Sequence, residues 1–498
     1  MPNEAPAGPA SFPPLDDLLG EFRRLAESHR KQAILRAYGH SRQGETLLAL
    51  ELGNGPHRIL SYAFPQPDEP LGGIALLHLA RFLLEEEEPL RSARWLLLPC
   101  VDPDGARRNE GWFTHPLDLA NYARRHFRPP EGEQVEWTFP SDDPAWPWER
   151  PLPETQALQA LLDDFRPETL VPLHNALLGG AYAFLSEEVA ERAPELPPLW
   201  GRYGLPTHCG EAELPFAPVL APGVYRLPTL REMAAALSAQ GIPDPAGLLC
   251  CGAPAYLYAR CLGRVQVIVP ELPLFTVPGI EDTRPAAVGH RQLLEESLEA
   301  DRAAFARWQA LYRRAAPLLE AKNPFRSALE NHLRTAPLLL QATARWLEGD
   351  ASQERPATVA EVVDCRKVLP YLRLLPLGLL EQALAFEGDF PDLPLREEVH
   401  AALEKALGDS LSHLRATPIP PATLVQATVE ILLRTLPSSL AGIGPGTQPS
   451  GQPASRLPNP QKSLTNVFFK MIQYFYKHAS ACDIYAERNR PREVRDER

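Results

Sequence analysis

Basic charge is the first shortage in this 498-residue chain. Fifty Lys and Arg face 63 Asp and Glu, for a formal net charge of −13. Nucleic-acid binding needs Lys and Arg clustered on phosphates, so that class of partner is excluded. Long apolar runs are missing too: no stretch reaches the roughly 20 apolar residues that cross a bilayer. The N-terminus, MPNEAPAGPASFPPLDDLLG, lacks the basic start and apolar core of a signal peptide. The expectation is a cytoplasmic protein with no membrane partner. Cysteine is scarce and odd in number, seven in all. That builds no disulfide framework and no two-by-two metal spacing. Cys250, Cys251 and Cys261 therefore read as reduced core thiols.

Proline, in contrast, is abundant, with 55 residues. Proline stiffens loops by narrowing the unfolded ensemble. Hydrophobic residues at 44% and charged ones at 23% are ordinary for a globular chain, and the length suffices for more than one domain.

In chain order, residues 1 to about 15 are Pro- and Ala-rich and are expected to be poorly ordered. Leu15 to Ser28 reads as a helix, and Ala33 to Leu52 as two strands around a turn at Ser41–Gly44. Arg58 to Ala63 is an apolar run of strand length. It leads through Phe64-Pro65-Gln66-Pro67-Asp68-Glu69-Pro70 into Leu71 to Glu86, where apolar residues follow helical spacing. Ala93 to Val101 is a further strand, ended by the turn Asp102-Pro103-Asp104-Gly105. Ala106 to Trp148 reads as one long, arginine- and tryptophan-bearing loop, and so long a loop is usually functional. A helix opens at Pro153-Glu154-Thr155. Glu168 to Leu173 is a strand ending at His174-Asn175, Gly179 to Ser186 is the next, and Arg264 to Val269 is followed by Pro270-Glu271.

Strands alternating with helices imply a mixed, largely parallel sheet flanked by helices, an α/β fold whose site gathers at the C-terminal strand ends. Gln66 and Glu69, Asp102 and Arg107, His174 and Glu271 all follow such runs. After about Pro285 the pattern turns helical throughout. The expected organisation is an N-terminal extension and helix (1–28), an α/β domain (29–288), an all-helical C-terminal domain (289–440), a flexible linker (441–463), and an amphipathic segment with a charged tail (464–498).

The constellation suits metal chemistry. A catalytic zinc takes three His, Glu or Asp ligands and leaves its fourth position to water, whose proton a nearby carboxylate accepts. Glu69 and His174 suit ligand roles and Glu271 the base. An arginine from the long loop suits an oxyanion or a substrate carboxylate. Taken singly, each has a plainer reading. Glu69 is then a first-turn carboxylate facing the helix dipole, His174 a satisfied half-buried histidine, and Glu271 a buried partner for Arg107. His78 reads as core, and His208 with Glu211 and Glu213 as a polar loop.

In this order the motifs resemble the carboxypeptidase A-like zinc metallocarboxypeptidases, particularly a bacterial branch. That family carries His-x-x-Glu, a lone His more than a hundred residues later, and a catalytic Glu on a late strand. Gln66-Pro67-Asp68-Glu69 stands at the first motif with Gln in place of His. His174 in Pro172-Leu173-His174-Asn175 matches the lone His, and Glu271 in Val269-Pro270-Glu271-Leu272-Pro273 matches the base. Asp102-Pro103-Asp104-Gly105 resembles the family's Asn-Pro-Asp-Gly turn. The resemblance spans roughly residues 30 to 280. It implies Zn2+ held by Gln66, Glu69 and His174, Glu271 and Arg107 as catalytic residues, and Asn109 and Arg128 binding substrate. The substrate would be a peptide with a free C-terminal carboxylate, cut at its last amide bond, and the helical part would offer a surface for a protein partner. Gln66 leaves a second reading open: a site that binds metal weakly or not at all, in a peptide-binding or regulatory module.

Overall fold

The computed structural model describes residues 11–435, apart from 145, 215, 240, 243, 350–353 and 389–390. The expectations for residues 1–10, for the linker and for the amphipathic segment lie outside the described residues. Phe12 is anchored, contrary to expectation: it is buried and its N–H donates to the Phe113 carbonyl.

Nine strands form the backbone of the fold: β1 (Ala33–His40), β2 (Thr46–Leu52), β3 (His57–Ala63), β4 (Ala93–Leu98), β5 (Thr169–Gly179), β6 (Tyr182–Leu185), β7 (Val219–Ala221), β8 (Val224–Arg226) and β9 (Gln266–Thr276). They lie in the order β1-β2-β4-β3-β5-β9-β6-β8-β7. The centre, β4-β3-β5-β9, is parallel, and β1, β2 and β6 add antiparallel neighbours. The fold is thus a mixed, largely parallel sheet flanked by helices, with a helical C-terminal region. The helices Leu71–Glu85 and Pro153–Phe165 supply crossovers. Parallel strands covered on both faces read as continuous apolar runs, which is why β3 and β5 were legible. The Leu71–Glu85 helix sits very close to the sheet. A Cβ on Gly72 would stand 2.8 Å from the Leu173 Cβ and 2.9 Å from that of Ala63.

Two strands run further than expected. His174 and Glu271 lie inside β5 and β9 and not at their ends, because the apolar residues beyond them pair on. The long loop is also more ordered than expected. It carries helices Pro103–Phe113 and Leu119–Arg125 and two 3-10 turns. Asp102 starts the first helix by accepting the Gly105 N–H at 3.0 Å, so the turn motif serves as a helix cap. His78 is exposed, not core. Cys251 is buried and free, whereas Cys261 is free but exposed.

The C-terminal part is helical, as expected, with helices His290–Ala315, Arg326–Gly349, Leu393–Leu414 and Pro421–Thr435. The run Val359–Phe386 is broken by a π turn at Asp364–Val368. That run is long and apolar enough to cross a membrane by length and composition, and 67% of its apolar window is buried in the protein. A short strand pair, β10 (Pro285–Gly289) and β11 (Pro356–Thr358), joins the two parts. The helical part is not laid down as a separate body. Its segment β12 (Thr417–Pro418) pairs with β9, Phe325 meets Phe127 edge to face at 5.5 Å, and Arg124 pairs with Glu404 at 2.7 Å.

Candidate functional site

The site grows from the sheet's centre. β5 and β9 run parallel with His174 directly opposite Glu271, and β6 brings Tyr182 opposite Glu271 from the other side. From β3 the chain turns at Phe64, whose φ of +53° lies in the left-handed region. A buried phenylalanine there is strained, a feature that clusters at functional sites. The turn delivers Gln66, Asp68 and Glu69 above the strand ends, and the Leu71 N–H closes it onto the Asn175 side chain at 3.2 Å.

The expected residues meet. His174 Nδ1 lies 2.8 Å from Glu69 Oε2 and 3.7 Å from Glu271 Oε1. Two further residues were not foreseen in their roles. Glu136, from the second 3-10 turn of the long loop, faces the other side of the ring, with His174 Nε2 at 2.9 Å from its Oε2. The Tyr62 hydroxyl donates to Glu136 Oε1 at 2.6 Å. The second is Arg128, which is buried among the loop residues. It donates to Asp68 Oδ1 at 2.7 Å, to Glu69 Oε1 at 2.9 Å, and to Gln66 Oε1. Asp68 also accepts the Tyr122 hydroxyl at 2.6 Å.

Electrostatics follow from this geometry. Burial alone would lower the His174 pKa, but the carboxylates of Glu136 and Glu69 outweigh it and hold the ring's pKa well above its ordinary value. The His174 ring is clamped between two carboxylates. Burial would raise the Asp68 carboxyl, yet the Arg128 charge and hydrogen bond, with Tyr122 behind them, hold it below the usual range. Four formal negative charges (Asp68, Glu69, Glu136, Glu271) face Arg128 and the His174 ring.

Arg107 and Asn109 are not brought to this place. Arg107 is taken by Glu45 at 2.6 Å and Asp16 at 2.9 Å. Asn109 is wholly buried; it donates to the Gly105 and Phe127 carbonyls and accepts from the Phe127 N–H and the Trp112 indole. Its role is to hold the loop's shape. Arg128 is at the site, but its fork is spent on protein carboxylates and an amide and does not face substrate.

A catalytic zinc does not fit this arrangement. One pair of donors has the right character: Glu69 Oε2 is buried 2.8 Å from His174 Nδ1. The third, Gln66 Oε1, is held by a guanidinium that also grips Glu69. A dication there would stand against a buried cation. Among the described residues, the group of His and acidic side chains whose donor atoms all lie within 4.8 Å of one another is elsewhere, at Glu211, His290 and Glu361.

Beside His174 opens a cavity of about 60 Å³, lined by Glu136, His174, Glu213 and Glu271 with Trp137, Phe184 and Tyr256 among its apolar walls. The Tyr182 hydroxyl donates to Glu213 at 2.5 Å. No Lys or Arg is among the lining residues.

No protein-family model matches this chain, and no curated protein does. Solved structures do resemble it, and they are metallocarboxypeptidase-like. A candidate metallopeptidase from Shewanella amazonensis is 16% identical over 52% of this chain and 84% of its own, with a TM-score of 0.36. Bovine thrombin-activatable fibrinolysis inhibitor is 9% identical over 52% and 86%, with a TM-score of 0.36. Carboxypeptidase A from Helicoverpa armigera is 13% identical over 53% and 65%, with a TM-score of 0.34. Scores this low assign no function, and the reading below rests on the chain's own side chains.

Proposed function

We propose that this chain is a peptide-binding module on a carboxypeptidase-like scaffold, and that its pocket recognises the ammonium of a peptide N-terminus or lysine. One observation carries the reading: Arg128 is buried among Gln66, Asp68 and Glu69, a built-in cation beside the residues that would otherwise hold a metal. The pocket next to it supports the choice of ligand. Beside Gln66 and His174 it is lined by the carboxylates of Glu136, Glu213 and Glu271 and by the aromatic rings of Trp137, Phe184 and Tyr256, which favour an ammonium through charge and cation–π attraction. The same lining disfavours the C-terminal carboxylate that the sequence resemblance implies.

The second reading, a peptidase-like hydrolase with metal-activated water and Glu271 as base, is favoured by the close approach of Glu69 Oε2 and His174 Nδ1, two atoms of ligand type 2.8 Å apart. It requires Arg128 to move aside. The two separate in a mass-spectrometric time course of peptides with free and amidated C-termini, in zinc-supplemented buffer. The module returns every peptide intact. Cleavage that needs a free C-terminus and disappears in Glu271→Gln establishes the hydrolase instead.

A further inference from the structure

Glu211, His290 and Glu361 form a second polar cluster, outside the pocket, at the seam between the sheet and the helical part. All three are buried, and their donor atoms lie within 4.8 Å of one another. His290 Nε2 is 2.8 Å from Glu211 Oε1 and 3.8 Å from Glu361 Oε1. Each comes from a different segment with its backbone fixed. The Glu211 N–H donates to the Asp364 carboxylate at 2.9 Å. His290 opens the His290–Ala315 helix, with its N–H on the Arg355 carbonyl at 2.8 Å. Glu361 sits in the first turn of the Val359–Val363 helix, locked in a capping box with Thr358. The approach is tight: a Cβ on Gly210 would stand 2.7 Å from Asp364 Oδ2.

The second observation is Glu211 Oε2. Glu211 is 1% exposed, and this oxygen has no hydrogen-bond partner in the structure. A buried carboxylate oxygen left without a donor is costly and calls for an explanation. The charge balance supplies one. Glu211, Glu361 and Asp364 bring three formal negative charges. Arg355, which grips both oxygens of Glu361 at 2.9 and 2.7 Å, returns one positive charge. With His290 neutral, as a ligand must be, the formal sum is −2.

We propose that Glu211, His290 and Glu361 bind a divalent cation of the zinc or manganese class. One imidazole nitrogen and two carboxylates suit such borderline ions, which take His N and Asp/Glu O donors. The site is structural in character. It ties the 207–213 loop to the start of one helix and the cap of another. Two residues beyond Glu211, the same loop carries Glu213 and Leu214 into the wall of the ammonium pocket. The ion thereby fixes that wall, whatever ligand the pocket takes.

The test uses the full-length chain purified without chelator. Measure zinc and manganese content by mass spectrometry, and affinity by competition with a chromophoric chelator. Stoichiometric metal is expected in wild type and in Glu69→Gln, with binding weakened at least about tenfold in Glu211→Gln and His290→Gln. Hydrogen exchange on wild-type protein with and without metal serves where a variant fails to fold. It should show metal-dependent protection at 207–213 and 355–361. Absence of stoichiometric uptake overturns the proposal. So does uptake that survives Glu211→Gln and is lost in Glu69→Gln, or protection confined to 66–69.

Discussion

Replacing Arg128 with methionine removes the cation while keeping most of the stem's volume. Its side chain is 7% exposed, and its partners Asp68 and Glu69 are 1% and 3% exposed. Adding up its three charge-assisted bonds at about 1.5–3 kcal/mol each would overcount, because bonds in one network do not add. The deciding effect is the pair of carboxylates left buried without their counter-charge, which costs about 3–5 kcal/mol. Tyr122 still serves Asp68, and His174 still faces Glu69, so the lower half of that range is the expectation. Arg128→Lys should fall between, since it keeps the charge and loses the fork. The deficit also depends on pH. In wild type the Asp68 pKa is held low; in the variant burial pushes it up, and protonation relieves the unpaired charge. The loss should be largest near pH 8 and shrink as pH falls toward and through the ordinary carboxylate range of about 4. Urea unfolding followed by tryptophan fluorescence over that pH range reads both effects. A loss below about 1 kcal/mol, the range of an exposed pair, or a deficit that grows on acidification, refutes the reasoning.

Combining Arg128→Met with Gln66→His should restore three donors free of the guanidinium, adding a zinc equivalent that Glu69→Gln removes again; metal analysis of the double and triple variants checks this. Glu271→Gln should weaken an amine-bearing peptide by about tenfold or more, the worth of a hydrogen bond to a charged group, as read by calorimetry. His126 and His332 are pushed by burial down to about 4 and about 3, below the ordinary 6.5 of an unfolded chain. Their contribution is therefore complete above about pH 6.5 and drains as pH falls towards those values, by up to about 1.4 kcal/mol per pH unit each. Urea midpoints between pH 7 and 4.5 should fall less steeply in His126→Gln than in wild type. Gly72→Ala should cost about 1–3 kcal/mol through overpacking against Ala63 and Leu173, measured in the same way.

The parallel core was legible because its strands are continuous apolar runs, and the convergence of Glu69, His174 and Glu271 because each follows one. Linear pattern could not show that β5 and β9 continue past the site, since Asn175–Gly179 and Leu272–Thr276 pair through tertiary neighbours. Nor could it place Glu136 or Arg128. Both come from a segment of short helical turns without periodicity, and only their partners reveal their roles. Arg107 and Asn109 show the opposite error: motif position suggested chemistry, while the fold spends them on Glu45, Asp16 and the loop backbone. Glu211 was noticed beside His208, but its neighbours His290 and Glu361 lie 79 and 150 positions away, beyond any local spacing rule.

The central claim is that the pocket beside His174 takes an ammonium and leaves the peptide whole. The direct measurement is a calorimetric titration of wild-type protein, in zinc-containing buffer, with a short peptide and its N-acetylated twin lacking lysine, followed by mass spectrometry of the cell contents. Tighter binding of the free amine by at least about tenfold, with the peptide recovered intact, is predicted. Equal affinity for the two, or loss of the C-terminal residue, contradicts it.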